Sequence, residues 1–510
     1  MTRVSALARL EAMEAMSAVP LTKFRHRHLS ARPLVVVPLA MAGEAGSPLA
    51  AIVGVSKRSP TLLVVGQPRD RVQRFAFAAD LGRIVLDYID SCRVDRREIG
   101  SRGRDQESRS RYTDAPQILV PNPGGIKFLA DLGRACRFRS TTGDYPVPAG
   151  VPELGMWLTF LANTAEEAGT SMLMSVTDMV SEHWATGQST LEDQNLAALM
   201  AWIAPPDGLT VEQALLDAEN PSVCPPAGPA TSPDFDNIYL AHAIKQSDTA
   251  RAAGDHEAAS AAQAEMRELI NEQIKPTWRL MWTAISLLRG VPEAPRAAKR
   301  FESDCASFTG YSDYQDSGTA LPQRTRDSAI GAAKRLSRLE RALENLEADM
   351  AFDDPYVLAD RRSDGEAFAG VVVDAEPGRV VTTDKNKRVP RPLITIRTLD
   401  PTRLADDTRL ISPSMPAGHK AVITHTEPDG EASLVTVEIN GGMGRALIPR
   451  PGTVPELGQV IAYLPDPGWR PTPVFPERDQ TVWTHSIDET PDPDSSIPNE
   501  ATAEEWGDDN

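Results

Sequence analysis

The hydrophobic pattern changes twice along this 510-residue chain, and these changes constrain its fold more than any single motif. In the first 145 residues, short apolar runs rich in β-branched residues alternate with helical patterns. Apolar residues then recur at helical spacing as far as residue 352, and strand-like runs return from residue 366. The sequence therefore predicts a multidomain α+β protein.

The pattern divides the chain into five predicted regions. They are an N-terminal helix (1–23), an α/β domain (24–145), a helical region (151–352), a small β-barrel of OB or SH3-like type (366–470) and a disordered acidic tail (479–510). The barrel is predicted from five short strand-like runs, at 368–373, 393–398, 421–426, 434–439 and 459–464. The tail is predicted from its ten acidic residues, with no lysine or arginine among them.

The sharpest helical pattern lies at 329–350, where alanine, leucine and methionine recur alternately every three and four residues. Such heptads are typical of a coiled coil, but three of them are marginal for independent stability. We therefore expect a short coiled-coil-like arm that packs on its own chain, and an intermolecular zipper is the alternative. Either arrangement predicts burial of the heptad leucines Leu336, Leu339, Leu343 and Leu346.

Charge is distributed unevenly along the chain. The net charge is −18, but residues 1–150 carry 23 lysines and arginines against 14 acidic residues. This asymmetry favours either an anionic partner at one end or attraction between the ends. Two unrelated domains with ordinary surfaces are the alternative explanation.

Cysteine content and hydropathy restrict the class of protein further. The four cysteines are scattered and none forms a CxxC pair, which argues against a disulfide framework and a thiolate zinc site. No apolar run reaches the ~18–20 residues that span a bilayer, and the N-terminus lacks a signal-peptide core. We expect a cytoplasmic protein with reduced thiols and no membrane partner.

A segment at 93–111 combines seven arginines with serine, glycine and glutamine and has no hydrophobic period. It is predicted to be a solvated basic loop, and the alternative is a flexible arm that neutralises phosphates. The arginines concerned are Arg93, Arg96, Arg97, Arg102, Arg104, Arg109 and Arg111.

Two further groups of cations are candidates for binding anions. Gly124-Gly125 lies between a predicted strand and a predicted helix, where backbone N–H groups can hold an anion and Lys127 adds charge. The chain contains neither a P-loop nor a G-x-G-x-x-G sequence, and no cofactor is predicted. In the barrel, the loop between the first two predicted strands presents Lys385, Lys387, Arg388 and Arg391, where OB folds contact oligonucleotides.

Catalytic and metal-binding motifs are weak. Glu182 and His183 lie on a predicted helix, and Glu192 and Asp193 follow at a predicted helix start; these four are the candidate catalytic residues. Their helical placement favours a structural histidine and solvated acids. His26 and His28 are flanked by arginines, which disfavour a bound cation, so no metal site is predicted.

These features predict a non-catalytic accessory or adaptor subunit of a bacterial nucleic-acid-processing or defence complex. Protein partners are expected, and nucleic acid is a further candidate partner. Two alternatives remain open. One is a hydrolase or nuclease whose active site has no recognisable motif, and the other is a structural oligomer joined through the heptad arm.

Overall fold

The computed structural model describes residues 2–43, 47–99, 109–225, 228–468, 473–477 and 480. Within these residues the α-helices are α1 (Arg3–Ala15), α2 (Arg71–Ser91), α3 (Pro123–Cys136), α4 (Val151–Ala165), α5 (Val176–Ser181), α6 (Leu196–Ile203), α7 (Val211–Glu219), α8 (Ala241–Ala252), α9 (His256–Gly290), α10 (Pro295–Asp316), α11 (Ala329–Asp353) and α12 (Pro355–Ser363). A 3₁₀ turn spans Glu192–Gln194, and a π-helical segment spans Phe235–Leu240.

The strands in the same ranges form five sheets. They are β1 (Val19–Pro20), β2 (Leu34–Ala40), β3 (Pro48–Gly54), β4 (Thr61–Val64), β5 (Arg96–Ile99), β6 (Arg109–Tyr112), β7 (Ile118–Val120), β8 (Leu173–Ser175), β9 (Trp184–Ala185), β10 (Phe368–Glu376), β11 (Val380–Thr382), β12 (Arg388–Pro390), β13 (Leu393–Thr398), β14 (Arg409–Ile411), β15 (Lys420–Asp429), β16 (Ala432–Gly441) and β17 (Val460–Pro465).

The N-terminal half is built on a five-stranded mixed sheet with the order β4-β3-β2-β7-β8. The first three strands in this order pair antiparallel, whereas β2 pairs parallel with β7 and β7 pairs parallel with β8. All seven residues of β2 are buried. This continuous burial matches its uninterrupted apolar sequence, because a strand covered on both faces has no polar side.

Helices cover both faces of this sheet. On one face, α2, α3 and α4 bury Leu81, Leu129 and Trp157 against the strands. On the other face, α5, α6 and α9 form a second apolar layer that includes Met179 and Trp278. The sheet is therefore the middle layer of a three-layer α/β arrangement.

The fifth strand of the sheet lies in the region that the sequence predicts to be helical. Residues 172–184 show a helical apolar pattern, but the structure divides them into β8, the short helix α5 and β9. The prediction of one helix here is therefore wrong. The strand β8 could not be recognised from the sequence because it is only three residues long and fully buried. A short run that is buried on all sides has no periodicity that separates strand from helix.

Two other local predictions need correction. The predicted N-terminal helix is shorter than residues 1–23, since α1 ends at Ala15 and a strand follows at Val19–Pro20. The basic segment at 93–111 is more ordered than the predicted loop, because β5 and β6 pair as an antiparallel hairpin. Residues 100–108, which link the two strands in sequence, lie outside the described residues.

The heptad region forms one continuous helix, α11, but its leucines are not uniformly buried. Leu346 is buried and Leu339 is half-buried, whereas Leu336 is 58% exposed and Leu343 is 47% exposed. The prediction that every leucine packs against another helix is therefore wrong for Leu336 and Leu343. The heptad spacing predicts the helix correctly, but it gives no information about which of the leucines are covered by other parts of the chain.

The predicted C-terminal barrel is confirmed. Six strands close it in the order β10-β13-β16-β15-β14-β17. Five of them match the predicted runs, and the short strand β14 completes the closure. The barrel interior is filled by side chains such as Phe368, Ile396 and Tyr463, all of which have no exposed surface.

Three findings concern the general character of the chain. Among the residues that the structure describes, no helix combines the length and apolar character needed to cross a membrane. All four cysteines are free, and Cys92, Cys136 and Cys305 are buried. The predicted acidic tail lies outside the described residues, apart from residue 480.

Candidate functional site

Several buried or half-buried charged side chains surround the segment at residues 23–28. The His26 Nε2 atom lies 3.4 Å from Asp354 Oδ2, and both side chains are fully buried. The backbone N–H groups of Lys23 and Phe24 donate to the same Asp354 oxygen, at 2.6 and 3.0 Å. The other Asp354 oxygen accepts from a backbone N–H in the first turn of α12. Asp354 therefore ties this segment to the junction between α11 and α12.

The ionisation of Asp354 depends on these contacts. Burial alone raises the pKa of a carboxyl group, but His26 and the backbone N–H groups stabilise its charged form. The hydrogen bonds prevail, and the pKa of Asp354 is lowered from its usual range. Asp354 is therefore a charged anchor at neutral pH.

Arginines of the same segment bind the elements around it. Arg25 lies 2.9 Å from Glu293, which precedes α10, and Arg27 lies 2.8 Å from Glu182 at the end of α5. Arg300 of α10 donates to the His26 carbonyl oxygen at 2.6 Å. We call this set of contacts the buried ionic network. It connects the N-terminal segment, α5, α10 and the α11–α12 junction.

Two predicted catalytic residues, Glu182 and His183, belong to or border this network. His183 is 2% exposed and its Nδ1 atom hydrogen-bonds to the Thr22 hydroxyl. Burial lowers the pKa of His183 to about 4, so its ring is neutral at pH 7. Glu182 is already paired with Arg27. Both side chains hold structural elements together in this arrangement, and their catalytic role stays a prediction.

The other two candidates, Glu192 and Asp193, lie at a separate turn beside α1. Asp193 accepts hydrogen bonds from Thr186 and Gln188, at 2.7 and 3.0 Å, and lies 3.4 Å from Arg9. Glu192 is exposed and accepts from the Ser189 backbone N–H at 2.7 Å. In this structure the two pairs of candidates have different partners and form no common site.

The carboxyl edge of the parallel strands is the usual ligand-binding edge of an α/β sheet. Here the chain itself covers that edge. Pro229 packs so closely on Gly124 that a Cβ atom at position 124 would lie 2.7 Å from the proline ring. The carbonyl oxygen of Pro229 also accepts a hydrogen bond from the backbone N–H of Ala40. Lys127, the predicted anion-binding residue nearby, lies 2.5 Å from Asp131. Anion binding at this edge stays a prediction, and the local contacts do not favour it.

The arginine-rich hairpin is neutralised by acidic residues, most of which lie on α10. Asp313, Asp316 and Glu302 of this helix, together with Asp90, provide the partners. Arg102 and Arg104 lie outside the described residues, as does the side chain of Arg109. The described pairs are Arg93 with Asp90 and Asp316, Arg96 with Asp313, Arg97 with Glu302 and Arg111 with Glu302, at 2.5–3.6 Å.

The barrel presents a different electrostatic surface at the end remote from α12. The hairpin β11–β12 projects there between β10 and β13, and its base is fixed by Arg379 and Arg391, which both pair with Glu438. The long loop from β16 to β17 leaves the barrel at the same end. Among the described residues, five exposed cations on this hairpin and this loop have no ion-pair partner: Lys385, Lys387, Arg388, Arg445 and Arg450. We call these five residues the barrel cation cluster.

The sequence prediction identified only part of this cluster. Lys385, Lys387 and Arg388 were candidates because of their loop, whereas Arg391 is bound to Glu438 at the hairpin base. Arg445 and Arg450 were not predicted. Their signal was the Gly441-Gly442-Met443-Gly444 turn, which marks a second loop at the end of a predicted strand.

The described part of the chain contains no group of three or more histidine, cysteine or acidic side chains that could hold a metal ion. Comparison with known proteins finds no matching family model, no matching curated protein and no matching solved structure.

Proposed function

We propose that the chain is an accessory protein that binds the phosphate backbone of a nucleic acid at the free end of its barrel and presents it to a protein partner. The single observation that carries this proposal is the barrel cation cluster. Exposed lysines and arginines without acidic partners are available to neutralise phosphates, whereas the paired arginines of β5 and β6 must first give up an ion pair.

The burial of the barrel aromatics also supports one expected mode of binding. Phe368 and Tyr463 are fully buried inside the barrel, so they cannot serve as platforms for base stacking. Contacts from the cation cluster to phosphates carry no direct sequence information. The expected interaction is therefore dependent on salt and nearly independent of base sequence.

This proposal predicts a steep salt dependence. Five phosphate contacts would give a slope of about −4.5 for the logarithm of the duplex binding constant against that of the salt concentration. Replacing Lys385, Lys387 and Arg388 together by serine is expected to flatten this slope by about 2 to 3. This slope can be measured by fluorescence anisotropy over a series of salt concentrations, with labelled duplex and single-stranded DNA and RNA.

A matched triple variant provides the control. Arg96, Arg97 and Arg111 lie on the other basic hairpin and are already paired with acids of α10. Their replacement by glutamine is expected to change nucleic-acid affinity less than about twofold. Loss of binding in this variant alone would assign the interface to the arginine hairpin, and absence of binding by the wild type at low salt would refute the proposal.

A further inference from the structure

We propose that residues 481–510 of this chain bind across the cationic side of α11 and cover it intramolecularly. This inference concerns a different surface from the barrel cation cluster and does not depend on nucleic-acid binding. It follows from the position of the last described residues, the charges on α11 and the composition of the segment that follows.

The described chain leads onto α11 after it leaves the barrel. Strand β17 ends at Pro465, and the ring of Phe475 then lies 6.0 Å from the Lys334 amino group. This distance is within the range of a cation–π contact. The following residues therefore start beside the N-terminal half of α11.

This side of α11 carries cations that the described residues leave unpaired. Lys334 and Arg341 are seven residues apart, so they lie on one side of the helix about 10.5 Å apart along its axis. Both are exposed, and neither has an ion-pair partner among the residues described; the same holds for Arg324 and Arg326 in the preceding loop. Glu340 lies about 120° around the helix from Lys334, and Glu344 lies about 60° from Arg341. Neither acid forms an ion pair with these two cations among the described residues.

The segment at 481–510 is complementary to that surface. It contains nine acidic residues and no lysine or arginine, and therefore supplies half of the chain's net charge of −18. Chain length alone keeps its first two acids, Asp488 and Glu489, no more than about 50 Å from Phe475. Attachment to the same chain gives the segment a high effective concentration at α11.

Zero-length carbodiimide cross-linking of the full-length protein tests this inference, because it joins an amine to a carboxylate only when the two are in contact. We expect cross-links from Lys334 to carboxylates of 481–510 at a yield at least fivefold above those from Lys299, an exposed lysine on α10. The yield should fall at least fivefold in 1 M salt, and also when Arg324, Arg326 and Arg341 are replaced by serine.

Two controls separate this arrangement from others. The variant with Lys385, Lys387 and Arg388 replaced by serine should keep the Lys334 cross-links, whatever its effect on nucleic-acid binding. Mixing isotopically labelled and unlabelled chains distinguishes contacts within one chain from contacts between two. Equal yields from Lys334 and Lys299, or cross-links that join labelled to unlabelled chains, would overturn the inference.

Discussion

Replacing Asp354 by alanine will lower the free energy of unfolding by about 3 to 5 kcal/mol, because the lost carboxylate accepts several backbone hydrogen bonds and each donor left unpaired costs about 1 to 3 kcal/mol. The substitution leaves His26 without its carboxylate, and it leaves the backbone N–H groups of Lys23 and Phe24 without an acceptor. Each unpaired buried donor adds a desolvation cost. Urea unfolding at pH 7, followed by tryptophan fluorescence, measures the change.

The matched control for this substitution is Asp384, an aspartate on the exposed barrel hairpin. Its replacement by alanine should alter stability by less than about 0.5 kcal/mol. The double variant with His26 and Asp354 both changed to alanine should lose less than the sum of the single losses, because the two groups interact directly. Additive losses, or an effect of Asp354→Ala no larger than that of the control, would contradict the role assigned to this pair.

The buried ionic network illustrates a limit of reading the sequence alone. His26 and Asp354 lie in distant parts of the chain, and no local pattern pairs them. The residues flanking His26 do show that the segment is unusually charged. However, a charged sequence looks the same whether the segment is exposed or buried in the folded protein. Only the three-dimensional packing of α5, α10 and the α11–α12 junction around it decides between them.

The barrel illustrates the opposite case. Strand β13 alternates between interior and exterior side chains, so Ile394 and Ile396 can be predicted to face the core from their positions in the run. The strand β14 was not predicted because three residues are too few to show alternation. The same limit explains β8, whose short buried run was interpreted as part of a helix.

The candidate site was predictable in composition but not in arrangement. Lysines and arginines cluster in two loops of the sequence, at 93–111 and at 384–391, and both are candidates for phosphate binding. The structure distinguishes them through ion pairs with acids that lie elsewhere in the chain. Acids of α10 pair with the first cluster, whereas Lys385, Lys387 and Arg388 form no ion pair among the described residues. Charge counts along a sequence cannot supply this information.

The stability of the protein is also expected to fall as the pH is lowered from about 6.5 to about 4. His183 and His419 are both buried, and burial lowers the pKa of each to about 4. Well above pH 6.5 both histidines are neutral in the folded and unfolded states and contribute no pH dependence. Between the two pKa values the unfolded chain binds protons that the folded chain excludes, so acid favours unfolding.

The two histidines have separate surroundings, and their effects should therefore add. His183 contacts Thr22 in the N-terminal half, whereas His419 hydrogen-bonds through Nε2 to the Tyr463 hydroxyl at 2.8 Å inside the barrel. Each contributes roughly 3 kcal/mol of lost stability by pH 4. Buried Asp304 opposes part of this loss, because burial raises its pKa and its protonation relieves the cost of a buried charge.

Glutamine substitutions isolate the histidine contribution from that of the carboxyl groups. Changing His183 or His419 to glutamine should reduce the slope of stability against pH by up to about 1.4 kcal/mol per pH unit, which corresponds to one proton. Changing the exposed His425 to glutamine should leave the slope unaltered. Urea unfolding at intervals between pH 4 and pH 7 measures all three. Equal slopes in the wild type and in the variants at His183 and His419 would show that acid acts on other groups, because a neutral buried histidine must take up its proton on unfolding in this range.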